Sequence, residues 1–134
     1  MSSDPLTITN SFMAKINAHN PEGLRDLMAG NHRFTDSLGQ TTEGKEAMYE
    51  AWKAYFRMMP DYEIVCEKIL SSGNTVVILG RARGTCAFEG RLSPANHWDI
   101  PAAWKAVIRH NRVAEWQVYA DNEPVRKILQ AAKF

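Results

Sequence analysis

Residues 98–109 read WDIPAAWKAVIR, and the alternation within them decides the fold. Trp98, Ile100, Ala102, Trp104, Ala106 and Ile108 share one parity, while Asp99, Lys105 and Arg109 share the other. Successive side chains of a strand point to opposite faces, so this stretch is a strand with its apolar face turned inward. The pattern continues on both sides. Downstream, VAEWQVYA (113–120) follows the short connection His110-Asn111-Arg112 and turns Trp116, Val118 and Ala120 inward. Upstream, 75–88 reads as a strand whose inner parity is Val76, Ile78, Gly80, Ala82 and Gly84, opposite Arg81 and Arg83. Small residues on that inner parity leave volume for a helix or a ligand to fill. Ser72-Gly73-Asn74 joins this strand to another over 62–70, and a polar loop around Ser93-Pro94-Ala95-Asn96 joins it to 98–109. Connections this short favour antiparallel neighbours.

Before Pro60 the period is helical. From Pro5 to Ala18, Leu6, Ile8, Phe12, Met13 and Ile16 follow helical spacing, with Asp4 as N-cap and Pro5 in the first turn. Asn20 caps a second, short helix through Met28, striped by Leu24, Leu27 and Met28 and ended by Gly30. HRFTD (32–36) alternates as a short strand with His32, Phe34 and Asp36 on one parity, and a turn follows through Ser37-Leu38-Gly39-Gln40. Glu43-Gly44-Lys45 leads into a third helix that ends before Pro60 and carries Met48, Trp52, Tyr55, Phe56 and Met59 on its apolar side. A short helix from Pro124 to Lys133 closes the chain. Helices first and a strand meander after them define an α+β class: a curved, mostly antiparallel sheet forming a cone, three N-terminal helices on its concave face, and a short C-terminal helix. At 134 residues, the whole of 1–134 is one domain.

Composition excludes several classes. A chain that is 45% hydrophobic and 10% aromatic sustains a packed core. Sixteen basic residues against fifteen acidic ones, scattered singly, do not make a nucleic-acid surface. No apolar stretch approaches the roughly 20 residues that cross a bilayer. The start, MSSDPLTITN, lacks the basic segment and apolar run of a secretory leader, so a cytoplasmic protein with no membrane partner is expected. Cys66 and Cys86 fall on paired strands but about five residues out of register, roughly 16 Å. A disulfide needs Cα atoms within about 7 Å, so two free, buried thiols are expected. No His, Cys or carboxylate spacing suits a metal, and no phosphate loop, dinucleotide fingerprint or nucleophile motif occurs. The expectation is no metal and no cofactor.

Five strings in order, INAHNPEGLRDLM (16–28), HRFTDSLGQTTEGKEAM (32–48), PDYEI (60–64), VVILGRARGT (76–85) and DIPAAWKAVIRHNRVAEWQVYADNEPV (99–125), resemble the SnoaL-like branch of the nuclear-transport-factor-2-like superfamily, also called cystatin-like. The resemblance implies a sheet curled around a deep apolar pocket that the helices close. It implies a homodimer formed through the outer sheet face, with Arg81, Arg83, Lys105 and Gln117 in or around a polar interface. The superfamily holds isomerases, dehydratases, epoxide hydrolases, polyketide cyclases and non-catalytic binders, so it implies a small-molecule pocket and no single reaction.

By that resemblance Asp36 stands where ketosteroid isomerases carry their general-base aspartate. A carboxylate at the edge of an apolar pocket is expected to have a raised pKa, which suits proton transfer. The competing reading is a turn residue that hydrogen-bonds the backbone just after it. The other isomerase groups are absent: the oxyanion-hole tyrosine aligns with Phe12 and the oxyanion-hole aspartic acid with Trp104. Where SnoaL-type cyclases and limonene epoxide hydrolases place an acid/base aspartate, this chain has Val118. Asp121 matches a position often acidic in the wider family, and either reaches the pocket rim or caps the last helix. His32 lies about 13 Å along its strand from Asp36, too far for a direct pair. It is either a buried structural histidine or a pocket group, and His19, His97 and His110 are expected to be exposed. The expected pocket wall is Phe12, His32, Phe34, Trp52, Phe56, Trp98, Trp104, Trp116 and Asp121. Four indoles in one small cone are hard to close-pack, and each buried N–H needs a partner. A cavity of at least about 300 Å³ is expected, which a large residue at Gly80 or Gly84 would fill. Two functions compete: a cofactor-independent isomerase, lyase or hydrolase using Asp36 on a small apolar or aromatic substrate, and a non-catalytic ligand-binding or subunit-interaction module.

Overall fold

The computed structural model describes residues 4–131. The first helix, α1 (Pro5–Asn17), begins at Asp4, whose side chain accepts the Thr7 amide hydrogen, with Pro5 in the first turn. Asn20 accepts the Gly23 amide in the same way ahead of α2 (Pro21–Leu27). Both caps satisfy backbone donors that a helix start leaves without partners. There follow β1 (Met28–Thr35), β2 (Thr41–Glu43), α3 (Lys45–Met58), β3 (Glu63–Ser72), β4 (Thr75–Thr85), a 3₁₀ turn at Pro94–Asn96, β5 (His97–Arg109), β6 (Arg112–Ala120) and α4 (Glu123–Ala131). The six strands form one sheet in the order β2-β1-β6-β5-β4-β3. Only β1 and β6 run parallel, and every other pair is antiparallel.

The core lies on the inner face of this sheet. The six even-numbered residues Trp98–Ile108 of β5 are all buried, as are Val76, Ile78 and Ala82 of β4. From the helices, Ile8, Phe12 and Ile16 of α1, Leu24 of α2, and Met48, Trp52 and Phe56 of α3 meet them. Val125, Ile128 and Leu129 of α4 rest against the same cluster. Several boundaries differ from the sequence reading. The second helix ends at Leu27, and β1 starts at Met28, because Met28 pairs with Val113 before the register shifts ahead of Arg33. That irregularity interrupts the period-two signal, so Gly30 lies inside a strand and stops no helix. The three exposed residues of β2 carry no apolar pattern and were not foreseen. Strand β4 stops at Thr85, since Phe88 turns back in an isolated bridge to Arg91. Lys133, expected at the end of the last helix, lies outside the described residues.

Gly80 and Gly84 do not leave room for a ligand. A Cβ on Gly80 would overlap the Val65 carbonyl of β3, beside the bulge between Cys66 and Lys68. One on Gly84 would meet the Trp98 ring at 3.2 Å. These glycines admit neighbouring chain and ring, a close approach that only a missing side chain permits. The same bulge corrects one of the thiols. Cys66 is exposed, Cys86 is buried, and both are free. Among the described residues, no helix is long and apolar enough to cross a membrane.

Candidate functional site

Between α3 and the inner faces of β5 and β6 lies a cavity of about 290 Å³. One side is a continuous run of aromatic rings. Phe34 meets Trp52 at 6.4 Å between ring centres, Trp52 meets Tyr55 edge-on at 6.1 Å, Tyr55 meets Tyr62 edge-on at 5.0 Å, and Tyr62 leans on Trp98 at 6.0 Å. Trp104, Trp116, Ile100, Val118 and Ala120 supply the sheet side, and Ala51 of α3 lines the cavity from an exposed position. The indoles differ in how their N–H groups are served. Trp98 donates to the Met59 sulfur at 3.4 Å, Trp104 donates to the Tyr62 hydroxyl, and the buried Trp52 N–H has no partner. Burial pushes the hydroxyls of Tyr55 and Tyr62 well above the ordinary tyrosine range, so both stay protonated donors at neutral pH.

The polar end is small. It consists of Asp36 and Ser37 from the turn after β1, with Asn122 from the residues after β6. The Asn122 amide donates to the Ser37 hydroxyl at 2.6 Å and ties the two segments together. Asp36 Oδ1 accepts the amide hydrogens of Leu38 and Gln40, each at 2.9 Å. The Asp36 carbonyl accepts the Gly39 amide at 3.0 Å. Asp36 therefore holds its turn and lines the cavity at once. Among the described residues, no Lys, Arg or His lines the cavity, and Asp36 makes no ion pair.

Of the nine residues expected in the wall, Phe34, Trp52, Trp98, Trp104 and Trp116 are there and four are not, while Asp36 lines it as well. Phe12 is fully buried one layer behind, 4.8 Å from Trp116. Phe56 stacks between Trp52 at 5.4 Å and His19 at 4.4 Å. His32 is fully buried, and its Nδ1–H donates to the Val113 carbonyl at 2.7 Å while Nε2 has no partner. Burial holds its pKa below the usual 6.5. Asp121 is exposed, and its Oδ1 accepts the Glu123 amide at the start of α4. His19 departs from expectation too: its ring is half-buried, and Nε2–H donates to the Tyr62 carbonyl at 2.8 Å. Parity on a strand and spacing on a helix assign a side chain to a face but not to a depth, which is why Phe12, Phe56 and His32 were misplaced. Tyr55 was missed as a site residue because it read as part of the apolar side of α3, and Tyr62 because it read only as the start of a strand. A phenol on a buried stripe needs a hydrogen-bond partner, and that requirement was the available signal. Ser37 and Asn122 gave none. Among the described residues, no group of three His, Cys, Asp or Glu is placed to hold a metal ion.

Residues 10–116 match the family model described as the SnoaL-like domain. Solved structures of the same fold include a candidate SnoaL-like polyketide cyclase from Jannaschia sp., 20% identical over 95% of this chain and 92% of that one, with a TM-score of 0.80. A hypothetical protein of ketosteroid-isomerase-like fold from Catenulispora acidiphila, solved with trimethylamine, is 22% identical over 92% and 91%, with a TM-score of 0.77. IdmH, a candidate polyketide cyclase from Streptomyces antibioticus, is 19% identical over 96% and 99%, with a TM-score of 0.76. No curated protein matches the sequence. At these identities the likeness carries the fold alone.

Proposed function

This chain belongs to the SnoaL-like domain family, and we propose that its aromatic cavity takes a small apolar or aromatic molecule on which Asp36 performs proton transfer without a cofactor. One observation supports this most: among the described residues, Asp36 is the only acidic side chain on the wall of a largely apolar cavity. Two turn amides fix its Oδ1, so the base is positioned before a ligand arrives. Next to β3, on the same cavity wall, the Tyr62 hydroxyl accepts the Trp104 N–H and stays protonated. A fixed carboxylate and a neutral O–H donor on the wall of one largely apolar cavity suit removal of a proton beside a carbonyl. Isomerases and lyases of this kind begin with such a step, and a hydrolase would use the same carboxylate to take a proton from water.

A second reading is a non-catalytic ligand-binding module, and the turn supports it, because both amides fall on the oxygen that an asparagine would also supply. Asp36→Asn separates the two. The variant keeps the turn and loses the basic oxygen. In deuterium oxide, with a panel of cyclic ketones, the wild type should accelerate exchange of the α-hydrogens, followed by NMR. The Asn variant should be slower by about 10² to 10⁴-fold, the usual contribution of a positioned base. Exchange that is equally fast in both proteins would leave Asp36 as a turn residue of a binding module.

A further inference from the structure

The charge around the cavity is one-sided, and we propose that its ligand carries a cationic nitrogen, a tertiary or quaternary ammonium, seated between the aromatic rings and Asp36. This inference rests on the reading of the cavity as a ligand site and adds the chemical class of what it takes. Three observations meet there. The ring run from Phe34 through Trp52, Tyr55 and Tyr62 to Trp98 presents π systems over one whole side, with neighbouring centres 5.0–6.4 Å apart. Faces of tryptophan and tyrosine attract cations, and do so more strongly once water is displaced. Asp36 lines the same cavity without an ion-pair partner among the described residues. Among the described residues no basic side chain lines the wall, and the nearby phenols stay neutral, so beyond the two turn amides on Oδ1 no positive charge offsets the carboxylate.

A ligand that fills the cavity strips water from Asp36. An anionic ligand would add a second negative charge to that dry space, and a neutral one would leave the carboxylate poorly solvated. An ammonium compensates the carboxylate and gains the ring attraction together. The proton-transfer role is compatible with this when the ligand also carries a carbonyl group, because a carboxylate beside the nitrogen also reaches hydrogens on a carbon between the two.

The test uses two molecules of one shape, phenyltrimethylammonium and tert-butylbenzene, with benzoate as the anionic arm. Each is titrated into wild type and Asp36→Asn and followed by tryptophan fluorescence. The cation should bind wild type at least about tenfold more tightly than its neutral isostere, a ratio within the range of desolvated cation–π contacts. Benzoate should not bind. In Asp36→Asn the cation should weaken by about tenfold while tert-butylbenzene holds, as expected when one charge partner is removed from a partly exposed site. Equal binding of cation and isostere to wild type would overturn the ammonium class and leave the cavity standing as a ligand site. A preference unchanged in the Asn variant would overturn the pairing with Asp36. Binding of none of the three would overturn both the inference and the ligand-site reading beneath it.

Discussion

His32 contributes nothing to the cavity wall, yet it makes the fold sensitive to acid. Its imidazole is fully buried, donates from Nδ1 to Val113, and has a pKa held below 6.5 by desolvation, which outweighs the opposing pull of that hydrogen bond. The folded chain thus resists a proton that the unfolded chain accepts. Stability is unaffected above about pH 6.5 and falls as the pH drops from there toward the lower folded value. The loss approaches about 1.4 kcal/mol for each pH unit crossed between those limits. Urea unfolding at pH 7 and pH 5 should show it in the wild type and show much less of it in His32→Gln. Parallel losses in the two proteins would assign the acid sensitivity to other groups. At this scale the sequence was partly legible. The inward parity of Trp98, Trp104 and Trp116 was readable, as were the caps at Asp4 and Asn20, because each follows from a local rule. What separates a wall residue from one a layer behind it is the packing of another element, and Phe12 and Phe56 show that no period encodes that.

At the scale of elements, the β3–β4 pair carries the clearest consequence. The register shifts between Cys66 and Lys68, and the Val65 carbonyl moves into the space a side chain on Gly80 would need. Gly80 is thus a requirement of the bulge. Gly80→Ala should destabilise the fold by about 1–3 kcal/mol, the usual range for forcing an extra carbon into a packed position. A lowered urea midpoint measures this, and an unchanged midpoint would mean the bulge relaxes freely. Element type and order were largely legible because the main change of period, from helical to alternating, falls near Pro60. The start of β1 at Met28 and the three-residue β2 were not, since an interrupted register and an exposed edge strand leave no alternation to read. The site was the least legible element, because Asn122 and Ser37 reach it only through a contact 85 residues apart in the chain.

At the scale of the molecule, the outer face of the sheet bears a central apolar row. Leu79, Ala103 and Tyr119 are neighbours across three strands, and Leu79 and Tyr119 are 39% and 50% exposed. Ion pairs Arg81–Asp99 and Arg83–Glu63 lie to one side, and Lys105 and Gln117 pair on the other. We propose that this face joins two copies of the chain. Light scattering should give twice the 15.1 kDa chain mass, and Tyr119→Lys should return it to one. A wild-type monomer at micromolar concentration would refute the pairing. The central claim concerns the opposite face, where the cavity under α3 is held to be the working site. The most direct measurement is a fluorescence titration with neutral naphthalene on wild type and Ala51→Phe, which places a ring at an exposed position on the cavity wall. The account predicts saturable, one-to-one quenching of the tryptophans in wild type and its loss in the variant, with the thermal midpoint little changed. Quenching that never saturates, or saturates alike in both proteins, would contradict it.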